Sequence, residues 1–154
     1  MSNLDDLYRE IILDHYRSPR NRGELPTPPA VKTEGFNPLC GDNITVFIEV
    51  DGDTIKDIKL SGSGCSISQS SSSLMSAAVK GKSVEQAREV IATFKEMMMG
   101  HEAALENSGE SSTANLRSLG ELAALQGVVK FPVRIKCAVL AWNTLSQALD
   151  EAAL

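Results

Sequence analysis

Residues 44 to 60 leave a folding chain few choices. Ile44, Val46, Ile48 and Val50 alternate with Thr45, Phe47 and Glu49, the two-residue period of a strand with one buried face. Asp51-Gly52 is a strong hairpin turn, and Ile58 and Leu60 alternate with Asp57 and Lys59 on the return strand. With the strand-like segment that begins at Val31, this predicts a small antiparallel meander. Before it, Asn3 to about Tyr16 predicts a helix: Leu4, Leu7, Ile11 and Ile12 line one side, and Asp5 and Asp6 suit its positive end. Arg17 to Gly23 stops that helix, and Pro26, Pro28 and Pro29 keep the next stretch extended.

Helices follow the strands. Ser61-Gly62-Ser63-Gly64 reads as a flexible turn leading into Cys65 and a serine-rich helix that ends near Lys80-Gly81. A polar run such as Ser66 to Ser73 also occurs in solvated linkers. Leu74, Met75, Ala77, Ala78 and Val79 continue this one as a helix, with small residues that permit close packing. Ser83-Val84-Glu85-Gln86 is a capping box, and Ala87, Val90, Ile91, Phe94 and Met98 form the buried stripe of a third helix. Residues 101–120 are polar and read as an exposed insertion. Leu119, Leu122, Ala123 and Leu125 predict a short helix closed by Gly127. Pro132 then suits the first position of a last helix, whose Ala138, Ala141, Leu145 and Ala148 make a small apolar face. Helix, strands, then helices indicates an α+β fold with the helices packed on one face of the sheet. No repeat or linker divides residues 1–154, so they read as a single domain.

A formal net charge of −5 argues against nucleic acid or an anionic membrane as the main partner. No apolar run approaches membrane-spanning length, and Asp5, Asp6, Arg9 and Glu10 are foreign to a signal peptide, so a cytoplasmic location is expected. Three cysteines, an odd number, in a reducing compartment point to metal or thiol chemistry rather than a disulfide frame.

Each cysteine has a suggestive setting. In Cys40-Gly41-Asp42 the glycine lets the backbone fold tightly, so a thiolate and a carboxylate can face one centre. Cys65 lies at a strand-to-helix junction, where unpaired N–H groups stabilise a thiolate. Cys137 falls in the second turn of the last helix, flanked by Arg134 and Lys136, cations that favour a thiolate. Three thiolates and a carboxylate would complete a tetrahedral shell for zinc, or most of the coordination of an iron–sulfur cluster. The spacings of 25 and 72 residues are not those of a zinc finger, so the fold itself must bring the three together. Taken singly, a cysteine is more often a buried structural thiol.

Other residues read more simply as structure. His15 suits a helix surface or core, His101 lies in the polar stretch, Met97-Met98-Met99 suits the core and its edge, and Trp142 suits packing. The Arg17–Arg22 cluster is a solvated patch or a grip for an acidic partner. Ser66 to Ser73 contains no Gly-x-Ser-x-Gly elbow of a serine hydrolase.

Four segments together carry a family resemblance: Asp14-His15-Tyr16-Arg17-Ser18-Pro19-Arg20-Asn21, Asn37-Pro38-Leu39-Cys40-Gly41-Asp42, Gly64-Cys65-Ser66-Ile67-Ser68 and Arg134-Ile135-Lys136-Cys137. In this order they resemble the U-type iron–sulfur cluster assembly proteins (IscU, SufU and the NifU N-terminal domain), over nearly the whole chain. Lys136 stands where IscU-type members carry histidine, and the polar stretch matches the extra segment of the SufU branch. The resemblance implies a three-stranded antiparallel sheet with helices on one face. It also implies a zinc site of Cys40, Asp42, Cys65 and Cys137, the three cysteines being the cofactor-binding set. By the same resemblance Cys40 accepts sulfane sulfur from a SufS-type pyridoxal-phosphate cysteine desulfurase and hands it to downstream iron–sulfur assembly proteins. The chain would thus act as a desulfurase-activating sulfur carrier rather than a stand-alone enzyme. Arg134 shares a helical face with Cys137 and is assigned to the transfer step with Cys40, whereas Lys136 points about 100° away. Two other classes stay open: a scaffold holding a transient [2Fe–2S] cluster, and an inert zinc-stabilised interaction module.

Overall fold

In the computed structural model, which describes residues 3–27, 29–38, 40–99 and 120–152, the alternating segment forms two adjoining strands of one antiparallel sheet. Strand β1 (Val31–Asn37) pairs with β2 (Asp42–Asp51), and β2 with β3 (Thr54–Ser63), in the spatial order β1-β2-β3. Gly52, at φ +67°, and Asp53 form the hairpin loop between the paired Asp51 and Thr54. Glycine at the first loop position accepts the positive φ that matches the twist of the flanking strands.

The two-residue period slips once. Glu49 pairs with Asp57 but Val50 pairs with Ile55, which leaves Lys56 as the extra residue of a β-bulge. The bulge resets the alternation, so that Ile55 and Ile58 are both fully buried. The flexible turn expected over Ser61–Gly64 is not there. β3 instead runs on to Ser63, with Ser61 against Thr45 and Ser63 against Asn43, because the continuing ladder outweighs the weak strand preference of serine and glycine.

Among the described residues the helices are α1 (Asn3–Arg17), α2 (Ser66–Val79), α3 (Val84–Met99) and α4 (Pro132–Ala152), with a 3₁₀ helix at Gly120–Lys130. That 3₁₀ helix passes through Gly127 rather than ending there, held by Val128, which is buried beyond it. The capping box forms as expected: Ser83 N donates to Gln86 Oε1 and Gln86 N donates to Ser83 Oγ, each at 3.1 Å. Helix α4 packs on β1 and β2, α2 on β3, and α1 on α2 and the 3₁₀ helix. The polar stretch expected around 101–120 lies outside the described residues, Gly120 excepted. Among the described residues no helix is long and apolar enough to cross a membrane.

The core lies between the sheet and these helices, built from residues such as Val46, Ile48 and Ile58 of the sheet and Met75, Phe94 and Leu145 of the helices. Trp142 is at its centre, fully buried and stacked on Phe94 with ring centroids 4.2 Å apart. Its indole N–H donates to Ser71 Oγ at 3.0 Å, and Ser71 in turn donates to the Ala138 carbonyl at 2.6 Å. Ser68, Ser70, Ser71, Ser72, Ser73 and Ser76 are all buried, so the serine-rich run is a packed helix and not a linker. Small hydroxyls that bond back to their own helix or to a neighbour satisfy themselves while letting helices approach closely.

Candidate metal centre

The three cysteines arrive from three places in the chain. Beyond β1, the Gly41 N–H donates to the Asn37 carbonyl at 2.9 Å and closes a tight turn that presents Cys40. Gly41, at φ +72°, supplies the left-handed conformation that returns the chain into β2. Asp42, the first residue of β2, is fully buried and pairs across the ladder with Asn37. At the far end of β3, the Cys65 backbone N–H donates to Asp42 Oδ1 at 2.9 Å. Cys65 is also the N-cap of α2, its sulfur accepting the Ser68 N–H at 3.4 Å, which is the helix-terminus setting that its glycine-rich junction suggested.

Cys137, fully buried in the second turn of α4, completes the group. Its sulfur lies 3.1 Å from Cys40 Sγ and 4.0 Å from Asn37 Nδ2. The donor atoms of Cys40, Asp42 and Cys137 all lie within 4.8 Å of one another, a group that could hold a metal ion. The Cys65 sulfur flanks it, 3.9 Å from Asp42 Oδ2. The fold therefore gathers all four candidate ligands at one end of the sheet, where β1, β3 and α4 converge.

The electrostatics of this cluster favour a cation. Burial, and then hydrogen bonding with Cys40, Asp42 and Cys65, push the Cys137 thiol well above its ordinary range. The flanking Arg134 and Lys136 do not offset this, because both are exposed and neither is paired among the described residues. Asp42, at 0 % exposure, has no Lys, Arg or His partner among the described residues. An uncompensated buried carboxylate is costly, and a soft divalent cation bound by sulfur and carboxylate donors removes that cost. The donor set suits zinc, which takes tetrahedral thiolate and carboxylate ligands.

Comparison with known proteins decides the family: the description "NifU-like N terminal domain" matches residues 7–151. The chain belongs to this family. It is 45 % identical over 150 residues to the zinc-dependent sulfurtransferase SufU of Bacillus subtilis (strain 168), covering 97 % of this chain and 94 % of that protein. It is 42 % identical to the iron–sulfur cluster assembly scaffold protein IscU of Streptococcus pyogenes serotype M1, covering 99 % of this chain and 89 % of the relative. Among solved structures, a candidate SUF-system assembly scaffold from Fervidobacterium islandicum AW-1 superposes with a TM-score of 0.76 at 33 % identity, over 91 % of this chain and 94 % of the other. The three-stranded sheet with helices is the fold of such proteins. The N-terminal NifU-like protein of Brucella abortus shares it at a TM-score of 0.78 and 21 % identity, over 99 % of this chain and 98 % of that one.

The remaining sequence candidates resolve into structure. His15 is buried, its Nδ1 sharing a hydrogen bond with Ser73 Oγ at 2.7 Å and its Nε2 lying 3.5 Å from Glu121. Met98 is in the core. Arg20 pairs with Asp14 at 2.5 Å, and Arg22 donates to the Gly62 carbonyl at 3.2 Å, so part of the basic turn holds the fold together. His101 and Leu119 lie outside the described residues. Sequence reasoning passed over two residues that the structure makes prominent. Asn37 approaches Cys137, and Gly64 makes room for Asp42: a Cβ on Gly64 would stand 2.5 Å from Asp42 Oδ1. An asparagine closing a strand before proline, and a glycine directly before a cysteine, were the available signals.

Proposed function

We propose that this chain binds zinc through Cys40, Asp42, Cys65 and Cys137, accepts persulfide sulfur from a SufS-type cysteine desulfurase on Cys40, and carries it into iron–sulfur cluster assembly. The observation that carries the assignment is the asymmetry of exposure: Cys40 faces solvent while Cys137 and Asp42 are fully buried and Cys65 is half-buried. Of the three sulfurs, Cys40 is therefore the one most open to a donor protein. Zinc, when bound, keeps the sulfurs deprotonated. The Cys40 thiolate attacks the terminal sulfur of the donor's persulfide. One S–S bond forms at Cys40, the S–S bond to the donor's cysteine breaks, and that cysteine departs as a thiolate. One S–S bond replaces another, so no oxidant is consumed.

The surface beside the site suits a protein partner. Phe131 and Val133 are 62 % and 61 % exposed at the head of α4, next to the exposed Arg134 and Lys136. Apolar side chains flanked by cations fit an acidic-rimmed docking surface, here assigned to the desulfurase. Incubating the zinc-loaded protein with a matched desulfurase and cysteine, followed by mass mapping, tests the transfer. A persulfide on Cys40, lost in Cys40→Ser, is expected; sulfur that stays on the desulfurase contradicts it and leaves the inert module. The relationship to IscU scaffolds supports a second reading, assembly of a [2Fe–2S] cluster on the same cysteines. As-isolated metal content separates the two: colourless stoichiometric zinc supports transfer, and a brown protein with stable cluster absorption supports scaffolding.

A further inference from the structure

Four donors surround the proposed metal position, and the protein supports them unequally. The Cys65 sulfur accepts the Ser68 backbone N–H, and Asp42 Oδ1 accepts the Cys65 backbone N–H. The Cys137 sulfur is approached by a side-chain donor, Asn37 Nδ2, at 4.0 Å, in the outer range for N–H donation to sulfur. Among the described residues no N–H donates to Cys40 Sγ, whose neighbour is the Cys137 sulfur.

Asn37 is joined to the site in three ways. It pairs with Asp42 across the β1–β2 ladder, and its carbonyl closes the turn that presents Cys40. Its side chain, in a residue only 7 % exposed, reaches Cys137. The amide is the suitable group for that position. It offers N–H to a thiolate, whereas a carboxylate of the same shape would repel one and an alkyl group would leave the buried sulfur without a donor. A thiolate that accepts a hydrogen bond has less lone-pair density to give, which makes it a poorer nucleophile.

We infer that Asn37 is a positioning residue that holds Cys137 as a fixed ligand, and so leaves Cys40 as the sulfur that reacts. The inference rests on the metal reading above and adds to it the residue that sets Cys137 apart from Cys40 as a spectator thiolate. The backbone of Asn37 serves the Cys40 turn and its side chain serves Cys137, so a side-chain substitution separates the two functions.

Cadmium-113 is the probe, since it occupies thiolate sites and its nuclear spin couples through sulfur to a hydrogen-bonded proton. In the cadmium-loaded wild-type protein, the Asn37 side-chain amide protons are expected to show a scalar coupling to the metal. In zinc-loaded Asn37→Ala, alkylation of Cys137 relative to Cys40, mapped by mass spectrometry, should rise about tenfold while one zinc per chain is retained. Restoring a donor with Asn37→Ser should recover part of the wild-type order. Bound cadmium with no coupling at Asn37, or an unchanged alkylation order in a folded Asn37→Ala protein, overturns the assignment. If the variants do not fold, the wild-type coupling decides alone. A protein that takes up neither cadmium nor zinc refutes the metal reading itself, and this inference with it.

Discussion

Asp42 keeps its carboxylate in place because Gly64 has no side chain and because the next residue offers its backbone N–H. A methyl group at residue 64 would overlap Asp42 Oδ1 and crowd its Cγ at 3.0 Å, and neither atom has slack, since the carboxylate is fully buried. Gly64→Ala should therefore push Asp42 out of register with the three sulfurs. We expect its zinc affinity, measured by chelator competition, to fall about 10- to 100-fold with the fold intact by circular dichroism. Asp42→Ala should weaken binding yet retain zinc, because water replaces a carboxylate donor more readily than a thiolate. Unchanged affinity in both variants would remove Asp42 from the ligand set. The parts of this site differed in how far the sequence disclosed them. Gly41 and the N-cap position of Cys65 follow from local pattern. The meeting of Cys40 with Cys137 has no local signature; the settings of the three cysteines suggested a shared site, and the family resemblance supplied the ligand set. Asn37 was passed over because its contact with Cys137 spans β1 and α4, a tertiary relation that no spacing encodes.

Helix α2 joins the layers of the molecule through its serines. Ser71 accepts from the Trp142 indole and donates to the Ala138 carbonyl, so Ser71→Ala strands a buried donor on α4. A loss of about 1–3 kcal/mol, read from the urea midpoint at constant m-value, is expected. Two residues along, Ser73 joins α2 to α1 by bonding His15 Nδ1 and the Arg20 backbone N–H. Burial, and then the Arg20 charge, hold His15 below its ordinary pKa, while Glu121 and Asp14 pull it back only partly. The folded state thus prefers neutral histidine, and the unfolded chain binds the proton first. Stability from this source is fully present above the unfolded value near 6.5, falls as pH drops through it, and levels off below the folded value. Urea midpoints from pH 7.5 to 5.5 should decline more steeply for wild type than for His15→Gln; parallel profiles would contradict this. The elements themselves were legible in the sequence, because alternation, the hairpin glycine and the Ser83–Gln86 box are local signals. The bulge at Lys56 and the extension of β3 through Ser63 were not, because pairing with β2 settles both and strand propensity does not.

At the scale of the molecule, one end of the sheet carries the sulfur donors and the head of α4 carries the exposed surface beside them. Arg134 and Lys136 both lie on that surface, exposed and unpaired among the described residues. Arg20 and Arg22 are instead engaged with Asp14 and Gly62, so charge reversal there disturbs the fold together with any docking. The informative variants are therefore the two on α4. Arg134 stands three residues before Cys137 and shares its helical face, whereas Lys136 is turned about 100° away. Arginine also offers a planar fork that grips a carboxylate in two places, which a lysine ammonium cannot do. Arg134→Ala is expected to leave zinc stoichiometry and thermal stability unchanged, because the side chain is exposed and pairs with nothing among the described residues. Its stimulation of cysteine turnover by a matched desulfurase should fall about tenfold at low salt, with Lys136→Ala falling less. The gap between wild type and Arg134→Ala should narrow as ionic strength rises, since screening shortens the reach of exposed charges. A larger defect in Lys136→Ala would reverse the helical-face argument, and the position that holds histidine in IscU-type proteins would become the one that governs the partner.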